Sequence, residues 1–412
     1  MAVSLAIMAV VLAVTLFTPR IHPGDCLDVV DLEAGMTVPL NCDSRVVAKQ
    51  ARFLVEYLTQ ENAWRTRPVH MFATAAITEV AAPGILPLAA AIAKRLPPRQ
   101  KGIRGLLPFY LGAIVINALI LVATFVLFVL LLDARSPMVI YGLAAIVASF
   151  DITVGWFWVP HTIFFNLIVP PSVVMAFLLG MLIRRYQTVE IALLGLLVAA
   201  ACLSYGFFLI WPVAFVLGAL GGWLRWPEGL SPGRLLARLA VFSLAVIAPL
   251  VIWFGLYYLA DLEIAYEAQR AGGQFLWIAE AIRDGRFGEA FSAKYTLFIL
   301  ALTRHLGIYG LGLFALAAGL AGWRVWLVGW RAVFGDPFLI ASLVATGLML
   351  GFNLLQGYYP PRLHVPLILI AILIFLWLLR LSPLSRLMAP ATWSIAVVQI
   401  VLALARSPVS WD

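Results

Sequence analysis

Long apolar runs alternate with short polar breaks along the whole of this chain. Runs such as ALILVATFVLFVLLL contain no alternating polar positions. A helix needs about 20 mainly apolar residues to cross a bilayer, whereas a membrane β-barrel needs alternation of polar and apolar residues. The pattern therefore predicts an all-α polytopic integral membrane protein, with residues 1–412 forming a single transmembrane domain.

Ten apolar segments are predicted to cross the membrane. They are residues 3–18, 69–93, 106–132, 189–204, 206–224, 235–260, 298–322, 336–354, 363–380 and 387–405. Residues 136–183 must add an odd number of crossings, either one crossing with re-entrant backbone or three short crossings. The predicted total is therefore 11 or 13 transmembrane helices, the first of which is a retained helix because it lacks signal-peptide features.

Charged residues are scarce, and their positions predict the orientation of the chain. Only 12% of residues are charged, with a formal net charge of +8. The break AKRLPPRQKGIRG holds five basic residues and no acidic residue, and basic short loops mark the cytoplasmic face of a membrane. The excess charge thus indicates topology and not nucleic-acid binding, and it predicts an inner (plasma) membrane protein with a cytoplasmic N-terminus.

Two extended polar segments are predicted to lie on the outer, periplasmic or extracellular face. The first outer loop covers residues 19–68, and its stretch SRVVAKQARFLVEYL predicts a juxtamembrane helix lying on the membrane. The second covers residues 261–297 and contains a predicted amphipathic helix over residues 275–283. The polar residues are concentrated in these outer loops, and the sequence shows no internal repeat. Both observations favour a function at the outer surface over a transporter, which binds its substrate near the midplane.

Several side chains in the first loop have both a structural and a functional interpretation. Cys26 and Cys42 form a disulfide or stay unpaired, since spacing alone does not decide between these alternatives. Asp43 begins the predicted juxtamembrane helix, either as a capping residue or as a general base. Arg67 and His70, at the start of the second crossing, either anchor to lipid headgroups or hold phosphate.

This layout resembles the GT-C superfamily of membrane glycosyltransferases. The sequence DSR at residues 43–45 stands where protein O-mannosyltransferases and lipid A aminoarabinose transferases have an Asp-Glu pair, and RPVH at residues 67–70 stands at their basic Pro-Pro-Leu-like turn. Ser44 replaces the second acid, and only one proline is present. Near the C-terminus, QGYYPPRLHVP resembles the Arg-Tyr-x-x-Pro-x-x-Pro signature of many members.

The resemblance implies an inverting glycosyltransferase that moves a sugar from a polyprenyl-phosphate donor to a glycan, lipid or protein acceptor on the outer face. Asp43 would be the catalytic base, and cationic groups would offset charge on the leaving phosphate. The substrate-binding residues would be Arg45, Arg67, His70, Tyr358, Tyr359, Arg362 and His364, of which the last four otherwise form an interfacial belt. Arg304 and His305, which begin the crossing after the second outer loop, either contact the donor phosphate or only lipid headgroups. The lipid-linked sugar is then a substrate within the bilayer, and the sequence leaves the need for a divalent metal open because no Asp-x-Asp motif is present.

Three further polar residues are candidates for a pocket or for structural hydrogen bonds. Glu79 lies inside the second predicted crossing, while His161 and Asn166 lie in the ambiguous region before residue 183. A membrane acyltransferase would use a histidine near an amide, so this pair keeps that alternative open. The other alternative is a transporter or flippase for a lipid-linked substrate.

Overall fold

The computed structural model describes residues 1–15, 27–31, 37–59, 67–96, 98–158, 188–204, 210–223, 231–260, 265–357, 359 and 361–405. Contacts within the chain divide it into two compact units. Unit 1 comprises residues 1–60, 67–169 and 384–412, and unit 2 comprises residues 61–66 and 170–383. Each unit has its own buried apolar cluster, and the assignment of one transmembrane domain stays a prediction.

The described chain is almost entirely helical. Its first part contains α1 (Ala2–Thr15), β1 (Leu27–Asp31), β2 (Thr37–Asn41), α2 (Cys42–Arg52), α3 (Leu54–Thr59), α4 (Pro68–Val80), α5 (Ala82–Arg95), a 3-10 helix (Pro98–Leu106), α6 (Leu107–Leu131), α7 (Pro137–Ser149) and α8 (Asp151–Trp156). Its second part contains α9 (Thr188–Cys202), α10 (Ile210–Trp223), α11 (Pro232–Leu259), α12 (Ala265–Arg283), α13 (Phe287–Val328), α14 (Trp330–Phe334), α15 (Pro337–Gln356), α16 (Pro361–His364), α17 (Pro366–Arg380), a 3-10 turn (Ser385–Leu387) and α18 (Met388–Ala405).

One short hairpin departs from the all-α prediction. Strands β1 and β2 pair antiparallel, with Leu27 opposite Asn41 and Asp31 opposite Thr37. The hairpin ends directly at α2, so the backbone of the predicted first outer loop is partly a two-stranded ladder. The β-branched residues in LDVVD and TVPLN are the sequence signal for these strands.

Five of the described helices are long and apolar enough to cross a membrane. They span residues 102–131, 232–259, 287–328, 338–356 and 385–405, and the bent pair α4–α5 would make six. By length and composition, the chain is a multi-pass membrane protein. The ten predicted crossings all coincide with helices, but α1, α9, α10 and α17 are shorter than a full span. Because residues 159–187 lie outside the described part, the total of 11 or 13 stays a prediction.

The predicted second crossing, residues 69–93, is broken. Helices α4 and α5 meet at Ala81 with a bend of 93°. Pro83 lies in the first turn of α5, where its missing N–H and fixed backbone torsion start a new helix and do not continue the old one. The chain therefore turns within this segment and does not run straight through it.

Helix α2 packs on the basic segment that follows this bend. Ala48 is fully buried in one core with Leu96, Ile103, Leu107 and Tyr110. The guanidinium of Arg52 donates to the carbonyl oxygen of Gly105 at 3.0 Å. Helix α2 and the 3-10 helix Pro98–Leu106 are therefore in direct contact, and a hydrogen bond of 3.0 Å cannot span a bilayer about 30 Å thick. This differs from the predicted placement of residues 19–68 and 94–104 on opposite faces, and the bend at Ala81 is the physical reason.

Close helix crossings hold the core of unit 1. Gly112 of α6 lies against Thr74 and Thr78 of α4, and Gly142 of α7 lies against Thr392 of α18. The α7–α18 contact also buries a hydrogen bond of 3.2 Å between the hydroxyl of Ser149 and the side-chain amide oxygen of Gln399. Small residues let helix backbones approach closely, which is the main source of packing energy between helices in lipid.

Unit 2 is organised around the short helix α17. Residues 363–373, from the end of α16 through the first half of α17, are all buried, which is expected of a helix that is apolar on every side. Helix α17 packs along α13, and α10 packs along α15. Helix α13 is 42 residues long but is interrupted at Gly307, whose φ of 59° and ψ of −173° break the helical backbone. The amphipathic helix predicted for residues 275–283 is confirmed as the C-terminal half of α12.

A larger residue at position 112 is expected to destabilise unit 1. A Cβ at Gly112 would overlap the Thr78 hydroxyl and lie 3.2 Å from the Thr74 carbonyl oxygen. Gly112→Val should therefore cost about 1–3 kcal/mol of overpacking and lower the melting temperature in detergent. The matched control is Gly319→Val in α13, where a Cβ meets nothing within 4 Å. Equal melting temperatures for both variants would contradict the close α4–α6 crossing.

Candidate functional site

The late motif QGYYPPRLHVP folds against the first half of α13 in unit 2. Lys294, Phe298 and His305 occupy positions i, i+4 and i+11 of α13, and this spacing places them on one face of the helix. Helices α16 and α17 pack on α13, which brings that face to residues 359–364. Two segments that are separate in the sequence thus form one cluster of polar and aromatic side chains.

The centre of the cluster is a pair of histidines. The Nδ1 atoms of His305 and His364 lie 2.8 Å apart, and the two rings are tilted by 30°. One ring must donate and the other accept, so a single proton lies between them. His364 is fully buried, and its Nε2 has no hydrogen-bond partner among the described residues. A buried imidazole nitrogen without a partner is costly, so it is a candidate to bind a ligand.

Aromatic rings enclose His364. Phe298 meets it edge to face with ring centroids 5.7 Å apart, and Tyr359 stacks on it at 6.4 Å. Phe298 and Tyr359 also contact each other at 5.6 Å. Burial raises the pKa of Tyr359, so its phenol stays neutral and can donate a hydrogen bond. It donates to the carbonyl oxygen of Lys294 at 3.1 Å.

The C-terminal end of α15 supports this cluster. The last carbonyl groups of a helix have no partner within the helix and need donors from elsewhere. Trp277 Nε1 donates to the Leu355 carbonyl oxygen at 2.8 Å, and Lys294 Nζ donates to the Gly357 carbonyl oxygen at 3.3 Å. Asn353 Nδ2 donates to the Leu363 carbonyl oxygen at 3.2 Å. These bonds fix the connection between α15 and α16 onto α12 and α13.

Cationic groups lie beside the cluster. Arg304 precedes His305 in the sequence and its side chain is exposed, while Lys294 is partly buried. Helices α12 and α13 are joined by a short turn, and a cleft of about 430 Å³ opens at this turn. There, hydrogen bonds from Arg286 and then Arg283 lower the pKa of Asp284, so this carboxylate is ionised. The turn between α12 and α13 thus carries both acidic and basic side chains, and further along α13 basic side chains lie near the two histidines.

The predicted residues of the first loop belong to unit 1. Asp43 is the second residue of α2, as predicted for a residue at the helix start, but its side chain lies outside the described part. Arg45 is exposed on α2, Arg67 is partly buried just before α4, and His70 is buried in the first turn of α4. Glu79 is exposed near the end of α4, a position on the surface of the described chain and not in a buried pocket.

The remaining predicted site residues are not described. His161, Asn166, Tyr358 and Cys26 lie outside the described residues, as do the side chains of Arg362 and Cys42. Their predicted roles, and the disulfide, therefore stay predictions. Among the described residues, no group of three or more His, Cys, Asp or Glu side chains is placed to hold a metal ion.

Lys294, Phe298, Asn353 and Gly357 were not predicted from the sequence. The spacing of Lys294, Phe298 and His305 on one helix face could have indicated the first two. Gly357 follows an apolar helix directly, which is the usual position of a terminating glycine. No sequence signal pairs Asn353 with Leu363, since the contact depends on how the following segment folds.

Comparison with known proteins gave no match. No protein-family model matches the sequence, no curated protein matches it, and no solved structure matches the fold.

Gly357 is expected to be essential for the geometry of the cluster. Its φ of 68° is unfavourable for other residues, and a Cβ would lie 3.0 Å from Trp277 Nε1 and 3.2 Å from Lys294 Nζ. Gly357→Ala should therefore lower the free energy of unfolding by about 1–3 kcal/mol, measured as a lower melting temperature in detergent. Gly351→Ala is the control, because that glycine lies within α15 with open space around it. A control that loses as much stability would show that the end of α15 is not a special position.

Proposed function

We propose that this protein is a membrane glycosyltransferase of the GT-C type, which transfers a sugar from a polyprenyl-phosphate donor. The observation that carries the proposal is the contact of 2.8 Å between His305 and His364. It joins the late motif QGYYPPRLHVP, whose sequence resembles a GT-C signature, to the candidate phosphate contacts Arg304 and His305. The proposal also rests on the first-loop resemblance around Asp43.

The late cluster has the chemistry needed to hold a phosphate. Arg304 offers an exposed guanidinium, whose N–H groups can bind two phosphate oxygens at once. The unpartnered Nε2 of His364 and the one-proton histidine pair can supply another hydrogen bond. Groups that offset the charge developing on a leaving phosphate commonly contribute most of the acceleration in such reactions. The cluster lies where an apolar helix is interrupted at Gly307, so an isoprenoid chain has apolar helix surface close by.

Asp43 is the proposed general base for the acceptor hydroxyl. Its position in the first turn of α2 places it near the positive end of the helix dipole, which favours the ionised carboxylate. This role requires α2 to lie on the face where the donor is used. Because α2 shares its face with the basic segment 98–106, the side of the membrane occupied by α2 decides whether the role is feasible.

A second candidate function is translocation of a lipid-linked anionic substrate. Two apolar segments are interrupted, by the 93° bend at Ala81 and by the non-helical backbone at Gly307. Interrupted helices are typical of transporters, where freed helix ends bind the substrate. Reconstituted vesicles distinguish the two functions. Sugar transfer without movement of the donor across the bilayer supports the enzyme, and donor movement without transfer supports the transporter.

Replacement of Asp43 should slow transfer strongly while sparing donor binding. The purified protein is first incubated with a panel of polyprenyl-phosphate sugars, and the bound donor is identified by mass spectrometry. With that donor, Asp43→Asn should lower the transfer rate by about 100-fold or more, since the acceptor proton has no base. Glu56→Gln, an exposed carboxylate on the neighbouring α3, is the control. An undiminished rate for Asp43→Asn ends the assignment of this base.

Changes in the late cluster should weaken donor binding. Arg304→Gln removes a charge-assisted hydrogen bond, which is worth about 1.5–3 kcal/mol, and should raise the donor Kd at least tenfold. His364→Phe keeps the ring packing against Phe298 and Tyr359 but removes both nitrogens, so it should act in the same direction. Arg331→Gln, an exposed arginine on α14, is the charge control. Donor affinity unchanged in both cluster variants would exclude this phosphate site.

A further inference from the structure

Helix α2 carries its positive charge on one exposed stripe. Arg45, Lys49 and Arg52 are all exposed and are spaced i, i+4 and i+7, which places them on a single face of the helix. The opposite face is buried in the protein, where Val47 and Ala48 have no exposed surface and Ala51 is 2% exposed. The orientation of the cationic stripe away from the core of unit 1 is therefore fixed by packing.

A second basic element joins this stripe. Lys94 and Arg95 end helix α5, and Arg104 lies in the 3-10 helix Pro98–Leu106; all three side chains are exposed. The contact of Ala48 with Leu96 and Ile103 and the hydrogen bond from Arg52 to Gly105 hold this element against α2. We call the resulting surface the basic platform and define it by Arg45, Lys49, Arg52, Lys94, Arg95 and Arg104.

The elements that form the basic platform carry a strong excess of positive charge. Residues 42–59 and 82–106 contain eight basic and two acidic residues in the sequence. The acidic residues are Asp43, and Glu56 on α3. Basic charge that is split between two distant sequence segments is thus concentrated on one surface by folding.

Exposed apolar side chains border the basic platform. On the segment that follows α2, Val55 is 75% exposed, and Phe53 and Leu58 are each 37% exposed. The Arg52 guanidinium lies 4.9 Å above the Phe53 ring. Adjacent cationic and apolar side chains suit the boundary between lipid headgroups and acyl chains, where each group meets a matching partner. A soluble polyanion would match the charge alone.

We propose that the basic platform binds the phosphate-bearing headgroups of anionic phospholipids, on the one membrane face where α2 and residues 94–106 both lie. Clusters of four to eight basic residues on an interfacial helix bind anionic lipid through such headgroup contacts. The apolar border inserts beside the headgroups and holds α2 at the bilayer surface. This lipid contact is separate from any donor bound at the histidine pair.

Native mass spectrometry of the full-length protein in phosphatidylglycerol–phosphatidylcholine mixtures tests the proposal. The wild type should retain phosphatidylglycerol in preference to phosphatidylcholine. The variant Arg45→Gln/Lys49→Gln/Lys94→Gln/Arg104→Gln leaves Arg52 and its hydrogen bond in place, and it should lose at least tenfold of that preference. A charge-preserving variant, Arg45→Lys/Arg104→Lys, should keep it, and melting temperatures confirm that each variant is folded.

A matched control removes four basic residues elsewhere. Arg234, Arg283, Arg331 and Arg386 are exposed and lie outside the platform, and their replacement by Gln should leave the lipid preference near that of the wild type. Equal loss in the control and the platform variants would overturn the proposal in favour of general charge attraction. Free inorganic phosphate or a soluble polyanion is also added in the absence of vesicles. If either one abolishes the preference for phosphatidylglycerol, the surface is assigned to a soluble anion and the proposal is overturned.

The shared membrane face is tested separately by thiol labelling. Single cysteines are introduced as Lys49→Cys and Arg104→Cys after Cys26, Cys42 and Cys202 are replaced by serine. A membrane-impermeant maleimide should label both positions from the same side of sealed vesicles, and labelling from opposite sides would overturn the platform. Labelling of both positions only from the cytoplasmic side supports the platform but excludes Asp43 as an outer-face base, so the two proposals fail by different results.

Discussion

Backbone carbonyl groups at the end of a helix have no partner within the helix and must find donors elsewhere. This constraint explains the arrangement of unit 2. At the end of α15, the carbonyl oxygens of Leu355 and Gly357 receive hydrogen bonds from Trp277 and Lys294. The donors come from α12 and α13, so satisfying one helix end also fixes three helices against each other. One histidine of the pair follows the connection between α15 and α16, so the same hydrogen bonds also hold the histidine pair in position.

The same constraint connects helix interruptions with chemistry. A straight apolar helix presents few polar groups, whereas an interrupted one needs polar neighbours at the break. In α13, the backbone leaves the helical conformation at Gly307, two residues after His305. In unit 1, the chain turns at Ala81, and the guanidinium of Arg52 donates to the carbonyl oxygen of Gly105 near the end of the following 3-10 helix. In both units, the polar side chains that suggest function lie next to an interrupted or ending helix.

Much of the helical layout could be predicted from the sequence, since a long apolar run has few alternatives to a helix. The predicted importance of Arg304, His305, Tyr359 and His364 came from short motifs, and three of these residues do meet in one cluster. Lys294 falls within the predicted second outer loop, residues 261–297, and it shares a helix face with His305 because α13 begins at Phe287. The angle of 93° at Ala81 was not predicted either. Pro83 signals a break, but the angle depends on how α4 and α5 pack on α6.

The bend also shows why counting charges along a chain can misplace a segment. The positive-inside argument treats each apolar run as one crossing and so places the segments before and after it on opposite faces, whereas a run that turns back leaves both on the same face. Here the run is residues 68–95, and the segments on either side are held together by Ala48, Arg52 and Gly105. A hydrogen bond of 3.0 Å cannot span a bilayer about 30 Å thick. The packing of α2 therefore outweighs the prediction from the charge count. The basic residues of α2 and of residues 94–106, which were predicted on opposite faces, form a single basic surface.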